Sequence, residues 1–107
     1  MWLRALMGAK IMKTFGSNLM HYSRDTKGLA KYGVQITTLE FVLKDSTEIS
    51  AERVITYNNL GCYYAEKNER DVAIEKFNKA ITMCKDLGNE KMLDEIRENK
   101  RIVQEML

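Results

Sequence analysis

The chain has 107 residues, 45% of them hydrophobic and 30% charged, with a net charge of +2 and no Pro. That length holds one small domain at most, and its surplus of basic residues, spread over residues 1–37 with no recognition-helix pattern, gives no support to a nucleic-acid binder. No Val/Ile/Thr run alternates between turn residues, whereas apolar residues at three- and four-residue spacing dominate, so the chain reads as all-α.

The charge is unevenly spread. Residues 1–37 carry six basic side chains against Asp25 alone, for +5, and the remainder carries −3. Residues 1–16 form a basic amphipathic segment, with Trp2, Leu3, Leu6, Met7, Ile11, Met12 and Phe15 on its apolar side. It has two readings: a mitochondrial-type import helix removed on entry, or a helix packed over the end of the remaining chain. Met-rich stripes usually pack into cores, which favours the second reading and a cytoplasmic protein. Arg4, Lys10 and Lys13 break every apolar run well short of the ~20 residues a membrane span needs.

Gly16 ends the first helix, and Ser17-Asn18 supplies a capping signal for a second helical segment over 18–27. Turn chemistry at Asp25-Thr26-Lys27-Gly28 precedes a third helix over 29–44, weakened by Gly33 and Thr37-Thr38. Ser50 is the expected N-cap of a helix over 51–66, and residues 67–70 turn into a helix over 71–87. Gly88 suits a left-handed C-terminal cap and Asn89 an N-cap. The last helix runs from Glu90 to the end, with Leu93, Ile96, Val103 and Leu107 on one stripe.

Within 51–88 the residues are the most specific. Tyr57, Leu60, Gly61 and Tyr64 recur at helical spacing, a polar turn follows at Asn68, and Ala73, Phe77 and Ala80 recur in the same way. Small and large residues at these offsets let two antiparallel helices dock closely. This stretch resembles the tetratricopeptide repeat (TPR). A fainter copy over 17–50 is suggested by Val42-Leu43-Lys44-Asp45, which stands 41 residues before Met83-Cys84-Lys85-Asp86, and by Gly28, 40 residues before Asn68. That period exceeds the ~34 residues of the standard repeat and is similar to the longer variant of kinesin light chains and bacterial peptide-sensing regulators. The resemblance implies a short TPR-like superhelix: an N-terminal packing helix (1–16), a degenerate helical pair (17–50), one clear repeat (51–88) and a C-terminal capping helix (89–107), all one domain.

The resemblance also implies a function, since the first helix of a TPR pair lines a concave groove that takes a peptide or partner helix. The groove-facing residues are then Ile55, Asn58, Asn59, Cys62, Ala65 and Glu66, which share one face at three- and four-residue steps. Asn59 is the leading candidate, because an amide both donates and accepts and can bracket a peptide unit whatever its side chain. The family's carboxylate clamp also needs Lys and Arg nearby, but Ile55 and Cys62 flank Asn59, so chaperone tails are not the expected ligand. The alternatives are a groove filled by the chain's own N-terminal residues (Trp2, Leu6, Ile11, Phe15), and self-association, as a structural fragment of a larger TPR protein.

Catalysis has little support. His21 is the sole His, no Gly-rich phosphate loop exists, and Cys62 and Cys84 belong to no Cys-x-x-Cys pair, so neither a metal nor a cofactor is expected. The two cysteines read as reduced thiols. Tyr63 has two readings, an exposed aromatic anchor for a partner or a packing residue. The expectation is a non-catalytic protein–protein interaction module with a protein or peptide partner, and no nucleic acid or membrane.

Overall fold

The computed structural model describes residues 15, 17–44 and 47–106. The basic amphipathic segment, its mitochondrial reading and the placement of Trp2, Leu6 and Ile11 lie outside the described residues. The fold is all-α: a 3₁₀ turn over Leu29–Tyr32, then α1 (Gly33–Lys44), α2 (Ala51–Glu66), α3 (Arg70–Leu87) and α4 (Glu90–Gln104). Among the described residues there is no strand, and no helix is long and apolar enough to cross a membrane.

Local chemistry sets the helix ends. Ser50 accepts a hydrogen bond from the Arg53 N–H at 3.2 Å, and the Asn89 side chain accepts from the Met92 N–H at 3.0 Å. Each occupies one of the donors that a helix start leaves without an intrahelical acceptor. Gly88 closes α3 at φ 73°, its N–H bonded to the Cys84 carbonyl at 3.1 Å. Asn68 takes the corresponding left-handed position after α2 at φ 67°, where Asn is tolerated because its side chain can bond locally.

α2 is the axis of the molecule. It packs most extensively on α3, α3 packs next on α4, and α1 touches α2 lightly. Every residue from Val54 to Tyr63 is buried. Tyr57, Leu60 and Gly61 face the core with Ala73, Phe77, Ala80 and Ile81 of α3, and Ile96 and Val103 of α4 extend the same cluster. A Cβ at Gly61 would stand 2.6 Å from the Phe77 ring, so the bare α-carbon is what lets α2 and α3 approach this closely.

Three expectations change. Residues 18–28 are not helical; they run as an irregular path with a turn at 22–25, so the degenerate pair over 17–50 is one helix preceded by a non-helical segment. The reason is competition: the main-chain groups of Met20 and Tyr22 bond to side-chain amides of α2 and α4 instead of to a helical neighbour. The helix expected over 29–44 starts as a 3₁₀ turn behind Gly28 at φ 82°. Tyr63 is a packing residue, 2% exposed, and its neighbour Tyr64 is half-buried with its hydroxyl bonded to Glu40.

Candidate functional site

The six residues expected to line an open groove divide sharply in the structure. Ile55, Asn58, Asn59, Cys62 and Ala65 are buried, and Glu66 alone is exposed. What covers this side of α2 is the chain itself. Asn59, Asn58 and Cys62 all reach main-chain atoms of residues 15–20, so any ligand bound to Asn59 must take the place of that segment.

Met20 stands at the centre of the arrangement. Its N–H donates to Asn59 Oδ1 at 2.8 Å, and its carbonyl accepts from Asn58 Nδ2 at 3.0 Å and Asn99 Nδ2 at 2.9 Å. The Cys62 thiol points to the same carbonyl at 3.9 Å. On one side, Asn59 Nδ2 donates to the Asn18 carbonyl at 2.8 Å and to the Phe15 carbonyl at 3.3 Å, which also accepts from the Thr56 hydroxyl at 3.0 Å. On the other side, the Tyr22 N–H donates to Asn99 Oδ1 at 2.9 Å.

The amides also bond to one another. Asn99 Nδ2 donates to Asn58 Oδ1 at 2.9 Å and Asn58 Nδ2 to Asn59 Oδ1 at 3.0 Å, a continuous ladder from α4 across α2. Asn58 and Asn59 are fully buried and Asn99 is 1% exposed. A buried amide without partners costs about 1–3 kcal/mol, and every one of these finds several in the segment and in the ladder.

Side chains tie down the rest of the segment. Phe15 is fully buried and Met20 is 5% exposed, both within the main core cluster. The Thr26 hydroxyl donates to Glu66 Oε2 at 3.2 Å. Arg24 Nη2 donates to His21 Nδ1 at 2.7 Å, which leaves His21 Nε2 to donate to Glu95 Oε2 at 3.0 Å. Asp25 accepts from the His21 N–H at 2.9 Å and from Arg24. The Arg24 hydrogen bond, with that of the His21 main chain, holds its carboxyl below the usual range.

As chemistry, the site is a set of amide and hydroxyl groups bonded to main chain. Burial, with Asp25 nearby, pushes the Cys62 thiol well above its usual range, so it stays protonated and is a poor nucleophile. Cys62 and Cys84 are both free and buried. Among the described residues no group of three or more His, Cys, Asp or Glu side chains converges on a metal-sized site.

Two residues that hold the segment, Asn99 and Thr56, escaped the sequence reading. Asn99 sits between Ile96 and Val103 on the apolar stripe of α4, and a polar residue on a core stripe was the available signal. Thr56 gave none, because its role depends on where Phe15 arrives. The chain matches no protein-family model, no curated protein and no solved structure.

Proposed function

We propose that this chain is a non-catalytic protein–protein interaction module of TPR-like build, whose α2 face holds a non-helical stretch of chain by its main chain. The observation that carries this reading is the set of Thr56, Asn58, Asn59 and Asn99, which together engage main-chain atoms of Phe15, Asn18, Met20 and Tyr22. Their hydrogen bonds to Phe15, Asn18, Met20 and Tyr22 go to peptide groups, so the grip is indifferent to the side chains the bound segment presents. In this molecule the segment held is Phe15 and residues 17–22, and an external peptide binds by exchanging with it. Tethering gives the internal strand an effective concentration of about millimolar, so exchange requires a tight competitor or a loosened tether.

A second reading has its own support. Phe15 and Met20 belong to the core, which favours a permanent seam in which the strand is part of the fold. One experiment separates the two. A specific protease site is inserted at the exposed Ser23-Arg24 turn, the full chain is cut there, and a labelled peptide of residues 15–24 is added. The module reading expects the peptide to enter as the cut strand leaves. Methylating the peptide's Met20 nitrogen, which removes the donor to Asn59, should then weaken entry about tenfold or more, since a buried hydrogen bond lost is ~1–3 kcal/mol. A cut strand that never leaves, with no peptide entering, makes the α2 face a structural seam.

A further inference from the structure

Peptide groups are alike from one residue to the next, so bonds to them cannot by themselves hold a segment in one register. The side chains of the segment must do that. Phe15 is fully buried and Met20 is 5% exposed, both within the main core cluster, while Ser17 and Asn18 between them stay exposed. Directly after Met20, His21 Nε2 donates to Glu95 Oε2 of α4 at 3.0 Å. We propose that the α2 face selects peptides by three side chains: an aromatic residue, methionine or an aliphatic of its size five positions on, and a hydrogen-bond donor directly after that. This rests on reading the face as a peptide-binding module and names the class of peptide it takes.

The two buried side chains supply most of the selection. A core position emptied of a phenylalanine or a methionine loses the transfer energy of the side chain and keeps a cavity. A peptide with small residues at either place therefore leaves the face unfilled, and one with charged residues there buries a charge without a partner. The spacing is equally selective. A slip of one residue would offer Gly16 and His21 in place of Phe15 and Met20, and neither fills the position it would enter. The main chain adds an exclusion: the N–H groups of Met20 and Tyr22 donate to asparagine oxygens at 2.8 and 2.9 Å, so Pro at either place loses a donor.

Charge sets the third requirement. Two carboxylates of the body accept from side chains of the segment, Glu95 from His21 and Glu66 from the Thr26 hydroxyl at 3.2 Å. The Glu95 side chain is 30% exposed, so it is reachable yet partly shielded from water. His, Lys or Arg at the place of His21 donates to it, whereas Asp or Glu would set two acceptors of like charge against each other.

The test uses the full chain cut at the Ser23-Arg24 turn, with labelled peptides of residues 15–24 and affinity read by fluorescence anisotropy. In the peptide, Phe15→Ala should weaken binding about a hundredfold or more and Met20→Ala about thirtyfold or more, the scale of emptying a core position. Asn18→Ala, at an exposed side chain, should bind within about twofold of the parent. His21→Glu should weaken binding about fivefold, the upper end for a part-exposed pair. In the chain, Glu95→Gln should erase that last difference and Glu95→Lys reverse it, both with an unchanged helical spectrum. Equal affinity for all the peptides overturns the proposal and leaves the module reading intact, as a grip without selection. A His21→Glu penalty that is the same in wild type, Glu95→Gln and Glu95→Lys removes the donor requirement and overturns the proposal as stated. A parent peptide that never enters overturns the module reading, and this proposal with it.

Discussion

At the scale of single residues, the molecule turns on contacts that tolerate no extra atom and on polar groups that tolerate no missing partner. Gly61 is the clearest of the first kind. A methyl there would meet the Phe77 ring at 2.6 Å, and Phe77 is fully buried. Gly61→Ala should therefore destabilise the chain by about 1–3 kcal/mol through overpacking, and Phe77→Ala by about 3–5 kcal/mol through the cavity it leaves. The pair is not additive: with the ring removed, the alanine fills part of the hole, and the double variant should cost less than the sum. Urea unfolding of the three variants measures this, and strict additivity would mean the two residues do not meet.

At the scale of elements, helix ends were the most legible feature, because capping depends on neighbours a few residues away. Ser50, Gly88 and Asn89 all take their expected places, and the helix over 51–66 has the expected bounds. Ser50→Ala and Asn89→Ala should each cost about 1 kcal/mol, and their sum should describe the double variant, since the caps begin different helices. Ser50→Asp should retain most of the stability, because a carboxylate caps as well as a hydroxyl. The segment over 18–28 is the contrary case. Its capping and turn residues suit a short helix, yet its peptide groups are claimed by amides distant in the chain, from Asn58 to Asn99. Local pattern could not reveal partners separated by 38 to 79 residues.

At the scale of the whole molecule, α1 is the most weakly attached helix, and the Glu40–Lys76 pair at 2.6 Å fastens it to α3. Burial alone would raise the Glu40 carboxyl, but hydrogen bonds from Lys76 and the Tyr64 hydroxyl prevail and hold it below its ordinary value of 4.5. The sign follows from linkage. A carboxyl depressed in the folded state stabilises the fold above its unfolded value, and that contribution fades as pH falls through 4.5 and is gone below the folded value. Glu40→Gln should lower stability at pH 7 by about 1.5–3 kcal/mol, the range for hydrogen bonds to a charged group. It should also flatten the acid limb of the stability profile below pH 4.5. Thermal melts across pH 3–7 check both, and parallel profiles for variant and wild type would remove Glu40 from the acid response.

The residues themselves determined the all-α class, the α2–α3 hairpin and the face by which Tyr57, Leu60 and Gly61 meet Ala73, Phe77 and Ala80. Those follow from helical periodicity, from caps and from side-chain size, all written within a few turns of chain. They also placed Asn59 on one face of α2 with Ile55 and Cys62. Only the tertiary structure decided what that amide meets: the Met20 N–H and the Asn18 carbonyl reach it from some forty residues away. An asparagine facing water and one bracketing a buried strand have the same local sequence. The difference lies in which main-chain groups arrive beside it, and that is settled by the route of the whole chain.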